Sequence, residues 1–479
     1  MKHNSPRLFG MILGFAGLVS IARGQAPDAD FQVGFATAEI TPPVGWRRAG
    51  GYTEKISDGV KDPLMAKAVV VTQGTTSFAF VGNDLCSVPR ELTGPARKRA
   101  SEVTGIPIDQ IVITATHTHG GPEYQGPLRE VLHARAARDH QGNDPHEPID
   151  YRARLIDAWV DVIARAQAAR KSARLSVVAP YQEGLAFNRR YLMKDGSTGW
   201  IPGKKNPQIF RPLGPTDPEL PFVMARDADT GEPLGALTVF AMHTAIHGGP
   251  RFSACYPGHL QTRLREKLDA PRFVSIFGEG CAGDVNHVDV NDETPQPGET
   301  YPAIVGARLA ETIAEALPHA REIRGGSMAV RSKTVLSPVG AVTDAEYHAA
   351  MSLLERLDQN QAPFLTVVDA WRKAYRREFW TRYGGMLPEE VQVCRLDGDT
   401  AIVTLPHEVF VELGIAIKAG SPFRTTIVVT LANDTDFYIP TRRAFEEGHY
   451  EPTTCPLLPG CGEALVRTAL EVLNELKSP

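Results

Sequence analysis

Two histidines separated by one threonine are the most reactive feature of the sequence, His117-Thr118-His119. In an extended segment, residues two apart point to the same side, so both imidazoles are expected to face one site. Imidazole is the commonest ligand of transition metals and also a base near neutral pH. Gly120 and Gly121 follow directly, and glycines let the backbone pass close to a ligand. The pattern predicts metal binding or acid–base catalysis, with two surface histidines as the alternative.

His243 and Glu408 are the next candidates. His243 lies four residues before His247, as in metalloproteases, but the glutamate of His-Glu-x-x-His is missing, so this is not that motif. His243 is expected to close a strand, whereas His247 could adjoin the site or belong to a plain loop. Glu408 is predicted to open a helix, where the helix dipole favours a carboxylate even without a metal. Two histidines and a glutamate are also a common catalytic zinc set, and zinc lowers the pKa of a bound water to about 7.

These residues share one position relative to the predicted strands. Each follows a short run of β-branched, aliphatic or aromatic residues, and six such runs lead into polar side chains. In chain order the side chains are Asp84, His117 with His119, His243, Asp284, His407 with Glu408, and Tyr438. Open α/β sheets bind ligands at the carboxyl ends of their strands. The recurrence predicts a shared cleft at those ends, holding the metal site.

Strands and helices interleave along the chain, which predicts an α/β fold with a mixed β-sheet core flanked by helices. Strands are predicted at 66–71, 77–81, 110–114, 175–179, 234–241, 272–277, 328–334, 400–405 and 425–431. Helices are predicted at 91–104, 151–169, 259–268, 302–316, 344–358, 367–383, 408–419 and 462–476. Segments 190–215 and 217–235 contain many glycines and prolines and are predicted to be mostly loop.

The first 24 residues are predicted to be a signal peptide, and residues 25–479 to form one large catalytic domain. Lys2 and Arg7 precede an apolar run at 8–21, which is the usual arrangement of an export signal. That run is short for a hydrocarbon core of roughly 30 Å. Export to the periplasm or the medium is therefore expected, without stable membrane insertion.

Composition and cysteine spacing exclude several classes of function. The 479 residues include 51 basic and 56 acidic side chains, a formal net charge of −5, which is unlike a nucleic-acid-binding surface. The six cysteines contain no Cys-x-x-Cys pair, which excludes a zinc ribbon or a thioredoxin motif. Cys455 and Cys461 flank a turn-rich segment and are expected to form a disulfide in an exported protein, with two buried thiols as the alternative. No Gly-x-Ser-x-Gly or Walker motif supports a nucleophilic serine or a phosphate-binding loop.

The chain resembles the neutral, non-lysosomal ceramidase family in a series of pieces that run in order from about residue 31 to 452. The pieces are Gly34-Phe-Ala-Thr-Ala-Glu-Ile-Thr-Pro-Pro43, Ala115-Thr-His-Thr-His-Gly-Gly-Pro122, Phe187-Asn-Arg189, Phe240-Ala-Met-His243, Gly283-Asp284, Leu405-Pro-His-Glu408, and Tyr438-Ile-Pro-Thr-Arg442 ending in Tyr450-Glu451. The Ala-Thr-His-Thr-His and Tyr-x-x-Thr-Arg pieces are the most specific. The resemblance covers nearly the whole chain after the signal peptide.

The resemblance implies a secreted zinc-dependent amidohydrolase that cleaves the N-acyl bond of ceramide to give sphingosine and a fatty acid. By motif, zinc would be held by His117, His243, Glu408 and Tyr438. His119 would be the general base and acid, while Arg189 and Tyr450 would hold or polarise the substrate amide. Asp84, Asp284, Asn286 and His287 would surround the site or line it.

The sequence departs from the family's pattern in three places. Asn286 stands where ceramidases carry a serine after the Gly-Asp step, which allows a water nucleophile but not a serine nucleophile. The family's C-terminal β-sandwich domain is expected to be absent, and segments 123–148 and 344–383 have no clear match. The expected substrate is a lipid or small-molecule N-acyl compound, with an N-acylated amino sugar or an ester also allowed.

Two other classes of protein remain open from the sequence. A secreted metal-bearing binding protein without turnover would explain Asn286, but it has no need of His119 or Tyr450. A metal-dependent phosphoesterase would need a second metal, for which Asp84, Asp284 and His287 could supply ligands. One metal equivalent per chain would count against the phosphoesterase.

Overall fold

The computed structural model describes residues 1–2, 31–246, 248–294, 298–356 and 362–478. The predicted signal peptide, apart from Met1 and Lys2, lies outside these ranges, as do His247 and the end of the helix predicted at 344–358. No helix among the described residues has the length and apolar character needed to cross a membrane.

The strands alternate with helices along the described chain. The strands are β1 (Phe31–Glu39), β2 (Met65–Gln73), β3 (Thr76–Asn83), β4 (Ile111–Ala115), β5 (Lys171–Val178), β6 (Phe187–Asn188), β7 (Arg190–Met193), β8 (Thr198–Trp200), β9 (Ile209–Pro212), β10 (Phe222–Asp227), β11 (Pro233–Phe240), β12 (Val274–Glu279), β13 (Val285–Asn286), β14 (Arg321–Ile323), β15 (Ala329–Pro338), β16 (Met386–Arg395), β17 (Thr400–Thr404), β18 (Glu408–Val409), β19 (Thr425–Val429) and β20 (Tyr438–Ile439). The α-helices are α1 (Arg90–Thr104), α2 (Gly126–Asp139), α3 (Tyr151–Ala168), α4 (Cys255–Lys267), α5 (Tyr301–Ala316), α6 (Asp344–Leu354), α7 (Phe364–Tyr383), α8 (Val411–Gly420), α9 (Arg442–Glu447), α10 (Tyr450–Thr454) and α11 (Cys461–Lys477).

A large mixed sheet carries four of the six strands that lead to predicted site residues, namely β3, β4, β11 and β12. Over the described residues its order is β12-β11-β10-β5-β1-β2-β3-β4, with β14 beside β5. Within the described part of this sheet, two pairs of neighbouring strands are parallel, β11–β12 and β3–β4, and the other pairs are antiparallel. Strands β12 and β3 are near opposite ends of this order, yet they contact each other. If Gly82 of β3 carried a Cβ atom, that atom would lie 2.8 Å from Ile276 and 3.0 Å from the Phe277 carbonyl oxygen of β12. The sheet therefore curls, and the carboxyl ends of β4 and β11 face the same cleft.

A second sheet, β15-β16-β17-β19, packs against the first. Its apolar side chains, among them Ile402 and Ile427, share one buried cluster with Phe80 and Val223 of the large sheet. Strands β17 and β19 are parallel. This face-to-face packing removes both apolar surfaces from water. It also brings the segment after β17 to the cleft reached by β4 and β11.

Helices cover the outer faces of the two sheets. On α3, Leu155, Trp159 and Ile163 repeat at helical spacing and are fully buried, while Asp150 caps the first turn by accepting a hydrogen bond from the Ala153 amide. The same amphipathic pattern seats α11 on the second sheet. The expected α/β class, a mixed sheet flanked by helices in one large domain, is confirmed.

Every predicted strand and helix overlaps an observed element, but the two segments predicted to be mostly loop also contain strands that were not predicted. Segment 217–235 contains β10, which lies between β5 and β11 and is buried on both faces. A strand covered on both faces shows no alternation of polar and apolar residues, so the surrounding glycines and prolines dominate the sequence pattern. Segment 190–215 contains β7, β8 and β9, a small sheet of short strands.

Glu408 does not open a helix as predicted. It begins β18, which pairs in parallel with β20 and sets Glu408 opposite Tyr438, while α8 begins at Val411. The helix-dipole explanation for this carboxylate is therefore removed.

The disulfide expected between Cys455 and Cys461 is not formed. Both cysteines are free and buried. A hydrogen bond with Cys455, together with burial, raises the pKa of the Cys461 thiol well above its usual value.

Candidate metal centre and active site

Two buried histidines and a half-buried glutamate, each following a different strand, converge on one point. The His117 Nε2 atom, after β4, lies 3.2 Å from the Nε2 atom of His243, which follows β11. Glu408 Oε2, after β17, lies 3.1 Å from the first and 3.2 Å from the second of these nitrogens. All three ligand atoms fall within 4.8 Å of one another, close enough to bind one metal ion together.

Tyr438 completes the predicted ligand set. Its hydroxyl lies 3.3 Å from His243 Nε2, and it reaches this place because β20 pairs with β18 in the register that sets Tyr438 beside Glu408. The structure thus brings together the four residues that the family resemblance implied.

Backbone carbonyls orient both imidazoles. The Nδ1 atom of His117 lies 2.8 Å from the Cys86 carbonyl oxygen, and that of His243 lies 2.9 Å from the Ala282 carbonyl oxygen. Because a carbonyl oxygen only accepts, each Nδ1 carries a proton and each Nε2 is directed toward the centre. Metal-binding histidines in proteins are oriented in this way.

Glu408 Oε2 is buried and has no hydrogen-bond partner among the described residues. An unsatisfied buried carboxylate oxygen facing two imidazole nitrogens is costly unless a cation lies between them. The residues present therefore fit a metal ion, because imidazole nitrogen and carboxylate oxygen are common metal ligands.

The charges of the site act on one another. Burial alone would raise the pKa of Glu408, but His117 and His243 hold it well below its usual value. Burial opposes the charged form of His117 as well, yet the Glu408 carboxylate raises the pKa of His117 well above the ordinary value. Burial and the Arg189 charge lower the pKa of His243 to about 4. The carboxylate is thus ionised and His243 is neutral, the states in which both can bind a metal.

His119 meets His117 through a turn and not through the extended segment that was expected. His117 has φ +61°, in the left-handed region that non-glycine residues rarely adopt. Such strained residues concentrate at functional sites. The turn places the two Nε2 atoms 3.3 Å apart, so the expected convergence is right and the expected backbone is wrong.

Two contacts hold His119 in this position. Arg48 Nη2 donates to the His119 carbonyl oxygen over 2.9 Å. Gly50, with φ +89°, lies so close that a Cβ there would stand 2.4 Å from the imidazole Cγ. Burial and the neighbouring imidazoles of His117 and His243 lower the pKa of His119 well below its usual value, which leaves the ring neutral.

Arg189 lies at the site and is held there by Glu451 and the Gly283 carbonyl. Its Nε donates to Glu451 over 2.8 Å, Nη2 donates to the Gly283 carbonyl oxygen over 2.7 Å, and Nη1 is 3.2 Å from His243 Nε2. Glu451, fully buried, also accepts from Arg190 over 3.0 Å. Glu451 adjoins Tyr450 in the last piece that matches the family, but no role was predicted for it.

Tyr450 faces Tyr52, a residue that the sequence analysis missed. Their hydroxyl oxygens are 3.0 Å apart. Burial raises the pKa of both phenols well above the ordinary value, so both remain protonated. The pair Gly50-Gly51 just before Tyr52 is the local signal that could have drawn attention to this loop.

The remaining predicted residues fall into two groups. Asn286 and His287 line the cavity over the metal centre. Asp84 and Asp284 are not among the described residues that line it. Asp84 accepts from the Met65 amide over 3.0 Å, and Asp284 accepts from the Val411 amide over 2.9 Å, so each carboxylate fixes neighbouring backbone.

The cavity has a volume of about 620 Å³. Polar atoms of the metal centre form part of its lining, and aromatic rings form much of the rest: Tyr52, Trp200, Phe364, Trp371, Tyr375, Phe437, Tyr438 and Tyr450. Trp200 and Phe364 stack with ring centres 5.5 Å apart. Such a wall accepts the apolar part of a ligand while its polar end reaches the metal centre.

Another group of possible metal ligands, His133, Asp144 and Glu147, is explained by ion pairs. Arg47 Nη1 lies 2.7 Å from Asp144, and Arg129 Nε donates to Glu147 over 3.0 Å. Because the carboxylates are already neutralised by guanidinium groups, this cluster does not need a cation.

Comparison with solved structures identifies the fold. The chain superimposes on neutral ceramidase from Pseudomonas aeruginosa with a TM-score of 0.68 and 18% sequence identity, covering 94% of this chain and 76% of that chain. A ceramidase complexed with C2 gives the same values. A scan of protein-family models and a search of curated proteins both find no match. The chain therefore has the neutral ceramidase fold, and the resemblance seen in the sequence is confirmed at the level of the fold.

Proposed function

We propose that the chain is an exported zinc-dependent amidohydrolase that cleaves an N-acyl bond, as ceramidases do. The observation that carries the proposal is the convergence of His117, His243 and Glu408, with the neutral imidazole of His119 3.3 Å from the first of them, in a cavity with aromatic walls. In this proposal residues 1–24 are removed on export and residues 25–479 form the catalytic domain.

Zinc would be held by His117, His243 and Glu408, with Tyr438 as the fourth ligand. When bound, zinc acts as a Lewis acid that polarises an amide carbonyl and increases the acidity of a water molecule. The chain's own residues then determine where the water, the proton and the substrate lie.

His119 is the proton carrier of the proposed reaction. As a neutral base it accepts a proton from the attacking water, and it later donates that proton to the leaving amine nitrogen. The C–N bond breaks, a C–O bond forms, and the products are a fatty acid and an amine. Asn286 lines the cavity at the position where a serine nucleophile has been considered for the family, so water is the nucleophile that this chain supports.

Tyr450 is the proposed hydrogen-bond donor to the oxyanion, because its protonated hydroxyl lines the cavity. Arg189 contributes its charge, since Glu451 and the Gly283 carbonyl oxygen accept from its Nε and Nη2. Its guanidinium carbon lies 5.2 Å from the Tyr438 ring centre and 5.8 Å from that of Tyr450. Arg189 thus acts on the substrate through the residues that surround it.

The test pairs metal analysis with hydrolysis. The metal content of the purified chain is measured, and release from a fluorogenic short-acyl ceramide is followed with and without chelator, with His119→Ala as the matched variant that retains the proposed ligands. One zinc per chain and chelator-sensitive release that His119→Ala abolishes are expected. Zinc with release only from other N-acyl compounds, amino sugars first, would keep the amidohydrolase and reject ceramide. Zinc without any hydrolysis would leave a binding protein, and no metal would overturn the ligand set.

A further inference from the structure

We infer that Tyr52 is a positioning residue that orients the hydroxyl of Tyr450 toward the substrate oxygen. The inference rests on the proposed hydrolysis. Both tyrosines line the cavity, and their hydroxyl oxygens are 3.0 Å apart. Within the described part of the chain this is the only hydrogen bond that either hydroxyl makes.

Packing fixes the ring of Tyr450 but not the direction of its proton. The ring centre lies 4.5 Å from Trp200, 5.4 Å from Phe364 and 5.4 Å from Tyr438. A phenol hydroxyl still rotates about its C–O bond, and it can donate one hydrogen bond while accepting others. An oxyanion donor is most effective when it is aimed before the charge develops.

A hydrogen bond from Tyr52 supplies that aim. When the Tyr52 hydroxyl donates to the Tyr450 oxygen, the Tyr450 proton cannot point back along the same line and is directed elsewhere into the cavity. A tyrosine hydroxyl keeps its proton at neutral pH because its ordinary pKa is about 10, so one proton serves the tyrosine pair and the other is available to the substrate oxygen.

Tyr52 also belongs to a loop that is already part of the site. Gly50, two residues earlier, lies directly against the His119 imidazole. The Tyr52 ring packs edge-on against Phe364, with ring centres 5.7 Å apart. One short loop therefore contacts both the proposed base and the proposed oxyanion donor, and the Tyr52 ring is held in place independently of its hydroxyl.

The test is Tyr52→Phe, which removes the hydroxyl and keeps the ring. Zinc content, kcat and KM are measured on a substrate that the wild-type chain hydrolyses. We expect kcat to fall about tenfold, a part of the roughly 10²–10³-fold loss that follows removal of an oxyanion donor, with KM and zinc content unchanged. Tyr450→Phe should lose the larger factor.

A double-mutant cycle separates positioning from packing. Once Tyr450→Phe has removed the hydroxyl that is oriented, adding Tyr52→Phe should lower kcat no further. Tyr151→Phe is the matched control, because its buried hydroxyl donates to the Ile40 carbonyl oxygen away from the cavity, so it should lose stability without losing kcat.

The outcomes distinguish this inference from the proposed function. If the wild-type chain binds zinc but hydrolyses no N-acyl compound, the proposed function fails and the inference fails with it. If the wild-type chain is active and Tyr52→Phe matches it, only the inference is overturned. Multiplicative losses in the double variant, or a change confined to KM, would also overturn the inference, because they indicate independent action or substrate binding.

Discussion

Replacement of Gly50 by alanine should displace the proposed base without touching the metal ligands. A Cβ atom at residue 50 would stand 2.4 Å from Cγ, 2.5 Å from Nδ1 and 2.6 Å from Cβ of His119. Ordinary carbon contacts are about 3.5 Å, so the imidazole must move by about 1 Å. A misplacement of that size costs about 10²-fold in turnover. We therefore expect Gly50→Ala to lower kcat by about 10²-fold and to keep its zinc.

Gly45→Ala is the matched control for backbone strain. Gly45 has φ +94°, close to the +89° of Gly50, but a Cβ there meets nothing within 4 Å. Both variants carry a left-handed alanine, which costs about 1–2 kcal/mol. Thermal unfolding, zinc content and kcat are measured for both. Wild-type kcat in a zinc-loaded Gly50→Ala chain would refute the role of His119, and an equal loss in Gly45→Ala would trace the effect to strain.

Three further predictions concern metal binding, buried charge and pH. His117→Ala should lose the metal, whereas His119→Ala should keep it and lose about 10²–10⁴-fold in turnover, as expected when a general base is removed. Metal analysis and kinetics test both variants, and wild-type turnover in a zinc-loaded His119→Ala chain would contradict the assignment of His119 as the base. Glu451→Gln should destabilise the chain by about 3–5 kcal/mol, because it leaves Arg189 and Arg190 buried without their shared carboxylate. Glu447→Gln, which changes a more exposed partner of Arg190, should cost about 1 kcal/mol or less. Urea unfolding measures both variants, and equal losses of stability would refute the importance of the buried carboxylate. Burial raises the pKa of Glu389 from 4.5 to about 8, so between these pH values the folded state holds a proton that the unfolded state has released. The free energy of unfolding should therefore fall by up to about 1.4 kcal/mol for each unit that the pH rises from 4.5 to about 8. Glu389→Gln should show a shallower fall, and an unchanged slope in this variant would mean that Glu389 ionises normally.

Local sequence was sufficient for the elements that depend on local periodicity. Helices are indicated by the spacing of apolar residues in α3 and α11, and strands by the β-branched runs of β4, β11 and β17. These patterns can be recognised in the sequence without knowing which elements pack together. Strand β10 was missed because burial on both faces removes the alternation that marks a strand. Glu408 was misplaced because its two-residue strand exists only through its pairing with β20.

Sequence alone determined the ligand types and the rule that they follow strand ends. The resemblance of the Ala-Thr-His-Thr-His piece to the ceramidase family implied the general-base role of His119, which stays a prediction. These inferences depend on side-chain chemistry and on order along the chain, which folding does not change.

Only the tertiary structure decided which atoms meet. The curl of the large sheet and the packing of the second sheet bring residues 117, 243 and 408 to within 3.2 Å of one another, although they are separated by more than a hundred positions. Tyr52 and Tyr450, almost four hundred residues apart, come into contact in the same way. Such contacts depend on long-range packing, and no local pattern in the chain records them.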